Sequence, residues 1–275
     1  MTLINDKIFP DLQYLTADNI HSPEVSAIFA TRNGGVSGLT PATTHLHSLN
    51  LQFNSKRDAD SNVAENYKII ASSQGFSAGD VMSVLQKHTD KTIVVDKSLA
   101  ESRPHGQLGE ADALVTNIKG VMLSVRTADC VPILLYDSVN GAIGAVHAGW
   151  RGTFAQIGAK AVKQMSELYG TNPSDVKAAI GAAIGACCYE VSMEFYEQFS
   201  CKYGKEIDEF FHHKPNAKPH CNLNAMNKSF LVKAGVPAQN IGVSDLCTNC
   251  NPHLFYSHRR SGENRGTMAA FIGMR

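Results

Sequence analysis

Seven short β-rich runs, each closed by turn or polar residues, crowd the stretch from residue 25 to residue 147: "VSAIFATR", "VMSVLQ", "TIVVD", "ADALVT", "VMLSVRT", "VPILLYD" and "AIGAVH". Runs of four to eight apolar and β-branched residues between turn signals predict strands buried on both faces. A chain so built must fold around sheets. After "GWRGT" the period changes: Ile157, Ala161, Met165 and Leu168 recur at helical spacing, which predicts a helix with one apolar face. Thr153 is the expected N-cap of that helix. "DVKAAIGAAIG" reads as a further buried run, and helices are expected near 189–200 and 224–235. The segment "FFHHKPNAKPHCN", with two prolines and three histidines, reads as an exposed connection between those two helices. Without an internal repeat or a sharp composition break, the expectation is an α/β (mixed α+β) fold: residues 1–24 form an N-terminal segment, and 25–275 one domain with a largely β core flanked by helices.

Lys plus Arg and Asp plus Glu number 25 each, so no net field draws the chain to nucleic acid or anionic lipid. No stretch approaches the length of a membrane span, and "MTLINDKIFPDLQYL" lacks the basic start and apolar block of a signal peptide. A cytoplasmic protein with small or neutral partners is expected. Seven cysteines, an odd count without a disulfide-like framework, are expected as reduced thiols.

Three strand ends carry residues that bind metals. "VLQKH" delivers His88, "VRTADC" delivers Cys130 and "GAVH" delivers His147, each between an apolar run and a turn. Strand ends of one sheet can converge from distant positions, and functional groups collect there because the sheet fixes them while loops leave access. Two imidazoles and a thiolate suit Zn²⁺ with the fourth position open, and copper is the chemical competitor. Spacing alone does not join the three, and single histidines and cysteines at strand ends are commonly just packed or hydrogen-bonded.

Eight blocks in order supply what spacing cannot: "TRNGGVS", "SLNL", "QKH", "EADALVTN", "TADCVPILLYD", "GAVHAGWRGT", "IGACCYEV" and "CTNCNPHLFYSHRR". From about residue 25 onward the chain resembles the YfiH/YlmD family, also called the multicopper polyphenol oxidoreductase (laccase) family. The resemblance implies a purine nucleoside phosphorylase acting on adenosine, inosine and methylthioadenosine, with an adenosine deaminase activity. It also implies a metal held by the histidine of "QKH", the cysteine of "ADC" and the histidine of "HAGWRG", here His88, Cys130 and His147.

Phosphorolysis needs an anion site beside the ribose and stabilisation of the departing base. Arg151 is the first candidate for the phosphate, at the start of the expected helix, with Arg32 in "TRNGG" as a second forked donor. Asn50 in "SLNL" is a candidate for hydrogen bonds to ribose or purine, and Asp129 for an acid/base or ligand-supporting carboxylate, although strand alternation turns it away from Cys130. Cys247 and Cys250 in "CTNC" have the spacing of half a zinc site, but with no second C-x₂-C or H-x₃-H pair they are expected to be packed thiols, as are Cys187 and Cys188. His45 and His47, and His212, His213 and His220, are expected outside the metal set. Two departures from the family pattern stand out: alanine in place of proline in "IGAAIGACC", and "ENRGT", which leaves a role for Arg265 in doubt. Two other chemistries compete: copper oxidation of phenols, and hydrolysis by a Cys130 nucleophile with a histidine base and Asp129 or Asp112 as orienter, which includes editing of cell-wall precursors. The first wants several clustered copper sites and many H-x-H pairs; the chain has a single H-x-H.

Overall fold

The apolar runs pair into two large sheets in the computed structural model, which describes residues 1–20, 22–40, 44–53, 57–102, 107–213 and 217–275. One sheet has seven strands among the described residues, in the order Thr2–Asn5, Gln13–Thr16, Val25–Ala30, Met268–Met274, Val121–Thr127, Val81–Leu85 and Gln107–Glu110. The other has six, in the order Ile241–Val243, Val176–Ile180, Val131–Asp137, Ala142–Ala148, Ala113–Thr116 and Thr92–Val94. Most pairs are antiparallel; Val81–Leu85 runs parallel to both its neighbours, and the pair at each end of the six-stranded sheet is also parallel.

Near-continuous hydrophobicity in these strands follows from covering on both faces. Along Val131–Asp137, Leu134 and Tyr136 point into the core between the sheets, while Val131, Ile133 and Leu135 point to the opposite face. The C-terminal strand alternates likewise: Ala270 and Ile272 face the inter-sheet core, Ala269 and Phe271 the outside of the seven-stranded sheet. Helix Asp60–Ser73 covers that outside with Val63, Tyr67 and Ile70. Helices Ile157–Tyr169, Met193–Tyr203 and Leu223–Lys233 cover the outside of the six-stranded sheet. The result is four layers, helix on sheet on sheet on helices, and each fully buried Leu, Ile, Val or Phe contributes about 1.5–3 kcal/mol to holding them together.

Three details differ from expectation. Thr153 is not an N-cap: a short helix, Trp150–Phe154, begins at Gly149, and the next begins at Gln156 in left-handed conformation without a side-chain cap. The Thr153 hydroxyl instead accepts a hydrogen bond from Asn227 Nδ2 at 2.8 Å, tying the turn to helix Leu223–Lys233. Leu168 is 50% exposed, since helix Ile157–Tyr169 buries Ile157, Gly158, Ala161, Val162 and Met165 and ends one turn beyond that contact. The connection after Met193–Tyr203 is only partly exposed: Phe210, Phe211 and Cys221 are buried, and Phe211–His212 pairs with His220–Cys221. Residues 214–216 of that connection lie outside the described residues.

Both sheets matter to the site because the chain crosses between them three times in the same sense. It leaves Val81–Leu85 and enters Thr92–Val94, leaves Gln107–Glu110 and enters Ala113–Thr116, and leaves Val121–Thr127 and enters Val131–Asp137. His88, Asp112 and Cys130 sit on these crossings. His147 lies near the end of Ala142–Ala148, opposite Pro132 and one residue beyond the Val146–Ala113 pair.

A candidate metal centre at the sheet junction

The crossings bring His88, Cys130 and His147 together, with one ligand atom from each inside a common 4.8 Å separation. His88 Nε2 lies 3.7 Å from Cys130 Sγ, and the two imidazole rings are 5.0 Å apart, edge to face. His147 is 4% exposed, whereas His88 lies open to solvent.

Asp112 organises all of this, and reading the sequence assigned it only to the competing hydrolase. Fully buried, its carboxylate accepts the backbone N–H groups of Lys87, His88 and Thr89 and the Thr89 hydroxyl, at 2.6–3.2 Å. These bonds hold His88 in the left-handed conformation, φ 59°, that a non-glycine residue seldom adopts. The same carboxylate lies 2.8 Å from His147 Nδ1 and so directs Nε2 toward the other ligands, the arrangement by which carboxylates orient metal-binding imidazoles. Its "EADALVT" position, just before a strand, was the available signal.

Electrostatics within the trio are mutually supporting. Burial by itself would raise the Cys130 thiol, but His147 and His88 outweigh it and bring the thiol down to about 6. Burial would likewise lower His147; the Cys130 sulfur and the Asp112 carboxylate raise it to about 9. Asp112 is held well below the usual carboxylate range against its own desolvation, by His147 and the Thr89 N–H. A thiolate is therefore already favoured where a cation would need one.

Gly149 is required by contact. A Cβ there would lie 2.6 Å from His88 Cδ2 and 3.1 Å from Cys130 Sγ. The backbone after His147 thus packs directly against the other two side chains.

His88 and Cys130 open on a cleft of about 340 Å³, within the size of small-ligand sites, whose walls include Trp150, Arg151, Tyr189, Arg259 and Arg265, with His147 buried behind them. Arg151 is exposed and stacks over Trp150 at 4.2 Å. Arg259 donates to the carbonyls of Cys188 and Glu190, at 3.1 and 3.0 Å. Arg265, doubtful in the sequence, is half-buried in the cleft wall with its Nε buried and without a hydrogen-bond partner among the described residues. Glu263 lies 4.0 Å from Arg265 and 3.8 Å from His258 Nδ1. Tyr189, His258, Arg259 and Glu263 were not singled out from sequence, although "CCYEV" and "SHRR" contain three of them.

Other sequence candidates sit elsewhere. Asp129, also left-handed at φ 90°, borders the cleft, but its carboxylate accepts from the Thr248 and Ser257 hydroxyls and the Arg259 N–H at 2.5–3.0 Å. These carboxylate bonds pin the 248–259 segment, and the Asp129 carbonyl accepts the Ile184 N–H at 2.9 Å. Arg32 is outside the cleft lining: its guanidinium donates to the carbonyls of His45, His47 and Pro252 and stacks over Tyr256. Asn50, 1% exposed, donates to Asp58 and accepts from the Thr267 N–H. The helix beginning at Gly149 is five residues long, too short to lend Arg151 a helix-terminal anion site. The two cysteine pairs, expected to be separate packed thiols, instead meet: the sulfurs of Cys187, Cys188, Cys247 and Cys250 lie within 4.8 Å of one another. None of the seven cysteines forms a disulfide. Among the described residues, no helix is long and apolar enough to cross a membrane.

Similarity to known proteins covers nearly the whole chain. The Bacillus subtilis purine nucleoside phosphorylase YlmD is 35% identical over 260 residues, which span 94% of this chain and 91% of the relative. The adenosine deaminase RL5, from an unknown prokaryotic organism, is 38% identical over 200 residues, 72% of this chain and 76% of the relative. The crystal structure of Bacillus licheniformis YfiH superposes with a TM-score of 0.87 at 33% identity, covering 99% of both chains. Residues 26–275 match the model of one family, and the chain belongs to it: the multi-copper polyphenol oxidoreductase laccase family.

Proposed function

We propose that the cleft is the active site of a metal-dependent purine nucleoside phosphorylase that also deaminates adenosine. One observation carries the reading: two imidazoles and a thiolate meet beside a buried carboxylate, and two of the three, His88 and Cys130, line a cleft whose wall also includes Arg151 and Arg265. The donor set fits a zinc ion, with His88, Cys130 and His147 as ligands and the cleft side left for substrate. Such an ion would supply a Lewis-acid centre beside the substrate. The names of the relatives, phosphorylase and deaminase, supply the two reactions.

In phosphorolysis a phosphate oxygen bonds to C1′ while the C1′–N9 bond breaks; the electron pair leaves with the purine, which takes up a proton. In deamination a water oxygen adds at C6 and ammonia leaves. Arg151 and Arg265 bind the phosphate and hold it against the sugar, since charged forked donors suit its oxygens. Trp150 and Tyr189 flank the base with flat apolar surface. His258, in the cleft wall beside Glu263, is the side chain placed to deliver a proton to the leaving base. Asp112 holds a proton at His147 Nδ1, so Nε2 is the nitrogen that would give up its proton to bind the ion. Asp129 positions the wall and does not act on substrate. Unpaired thiols throughout fit a reducing compartment such as the cytoplasm.

A second reading has its own observation: Cys130, His147 and Asp112 are also arranged as thiol, imidazole and carboxylate of a cysteine hydrolase. Metal removal separates the two. Phosphate-dependent release of hypoxanthine from inosine should stop on dialysis against a chelator, return with zinc, and be absent in Cys130→Ala and His147→Ala. Phosphorolysis that survives chelation would contradict the metal-dependent reading, and a phosphate-independent hydrolysis that survives it and is lost in Cys130→Ala would favour the hydrolase.

A further inference from the structure

Outside the cleft, the most concentrated chemistry in the molecule is the group of four cysteines. Cys187 and Cys188 lie in the turn following Gly185, whose carbonyl accepts the N–H groups of Cys188 and Tyr189 at 2.9 Å. Cys247 and Cys250 open the "CTNC" turn, 60 residues further along, which is closed by the Asn251 N–H to the Cys247 carbonyl at 3.2 Å. Between the turns, Cys187 Sγ is 3.6 Å and Cys188 Sγ 3.4 Å from Cys250 Sγ, and all four sulfurs fall within 4.8 Å of one another. Four thiolates at about 2.3 Å from a tetrahedral zinc ion stand about 3.8 Å apart, so the spacing is that of a coordination shell. It is far from the roughly 2.05 Å of a sulfur–sulfur bond.

We propose that Cys187, Cys188, Cys247 and Cys250 form a second, closed metal site, a tetrathiolate shell for zinc that staples the 181–190 loop to the 247–251 turn.

Surrounding groups match that use. The Gly185 N–H points at Cys247 Sγ at 3.2 Å, the kind of donor that stabilises a thiolate. The turn packs closely at Gly185, where a Cβ would lie 3.2 Å from both Cys187 Sγ and Cys247 Cβ. A tetrathiolate around zinc carries excess negative charge, and two guanidinium groups border it. Arg260 donates to the carbonyls of Thr248 and Asn249 inside the turn, and Arg259 to that of Cys188. The staple reaches the cleft through its own loops: Ile184 and Tyr189 flank the first cysteine pair, and both line the cleft. With four protein ligands the shell has no place for a substrate, so the ion fixes the wall and takes no part in the reaction.

The test uses a full-length chain stripped of its cleft ligands, His88→Ala with Cys130→Ala and His147→Ala. Purified under reducing conditions with zinc, it should retain one equivalent per chain. Replacement by cobalt should give the intense visible bands and sulfur-to-metal charge-transfer absorption of a tetrathiolate. Adding Cys187→Ser and Cys250→Ser should abolish both signals; if that chain fails to fold, the cobalt spectrum of the triple variant still decides. A triple variant that binds no metal, or whose cobalt spectrum shows mixed nitrogen and sulfur ligation, would overturn the proposal. So would a Cys188–Cys250 disulfide in protein kept reduced throughout. Because the readout is metal in a chain without the cleft ligands, its failure leaves the catalytic reading untouched, and the reverse also holds.

Discussion

The two clusters of sulfur and nitrogen ligands in this molecule differ in how many donors they offer and in what holds them. In the trio, His88 and Cys130 stand on short crossings between two buried sheets and line a cleft, while His147 lies near the end of a strand behind them, beside the fully buried Asp112. The quartet of cysteines stands on two surface turns, with Cys187 and Cys250 exposed, and its own four sulfurs complete the shell. Three ligands leave an ion a position to offer; four do not. The difference teaches that donor count, with the rigidity behind it, separates a site that can do chemistry from one that can only fasten. Residue type does not, since cysteine serves both.

That comparison can be broken most directly at Asp112. Asp112→Ala removes the acceptor of three loop N–H groups and of His147, so the cleft's metal affinity should fall on the order of 100-fold, toward the upper end for such supporting partners. Competition against a chelator of known affinity would measure it, and the quartet should keep its ion; loss of both would mean that the sites share one scaffold. Arg265→Gln sharpens the trio's functional side. Removing a charged donor worth about 1.5–3 kcal/mol should raise the KM for phosphate about tenfold or more with the metal content unchanged. Steady-state kinetics at varied phosphate would show it, and an unchanged KM would take Arg265 out of the anion site.

The smallest effect comes from a control at the far end of the strand that follows Cys130. Asp137 is fully buried and accepts from the Val139 and Asn140 N–H groups and from Asn140 Nδ2. Its carboxyl is held below the usual range: burial opposes this, and the Asn140 and Val139 donors prevail. A lowered folded-state value means that its stabilisation is fully present above about pH 4 and is lost as the pH falls further. Asp137→Ala should therefore cost about 1 kcal/mol near neutrality, with the gap to wild type closing in acid and both metal sites unaffected. Chemical denaturation at several pH values would check the trend.

Much of the frame is legible in the sequence because strands covered on both faces announce themselves as apolar runs, and His88, Cys130 and His147 are visible where such runs stop. What joins them is not legible from spacing. Convergence depends on three crossings between sheets, a property of topology that no local pattern encodes. Asp112 was hard to weigh for the same reason, since its partners come from a different crossing, at 87–89, and from a strand end at 147. Cys187 and Cys188 were read as packed thiols and not joined to Cys247 and Cys250, because they are adjacent and lack the C-x₂-C spacing of a second half-site. Arg32 and Asn50 stand in family blocks, yet the fold engages their polar groups in holding turns together, which sequence cannot distinguish from contact with a ligand. Thr153 looked like a cap because a hydroxyl before a helical pattern usually is one; here an extra short turn of helix intervenes.

The central claim is a single ion shared by three residues with one side left open. Diffraction at the zinc absorption edge from crystals of the zinc-loaded protein tests it most directly. The account predicts an anomalous peak at about 2.0–2.3 Å from a nitrogen of His88, the sulfur of Cys130 and Nε2 of His147, with no fourth protein ligand. A peak absent from between these three side chains, or one whose shell is closed by another residue, would contradict it.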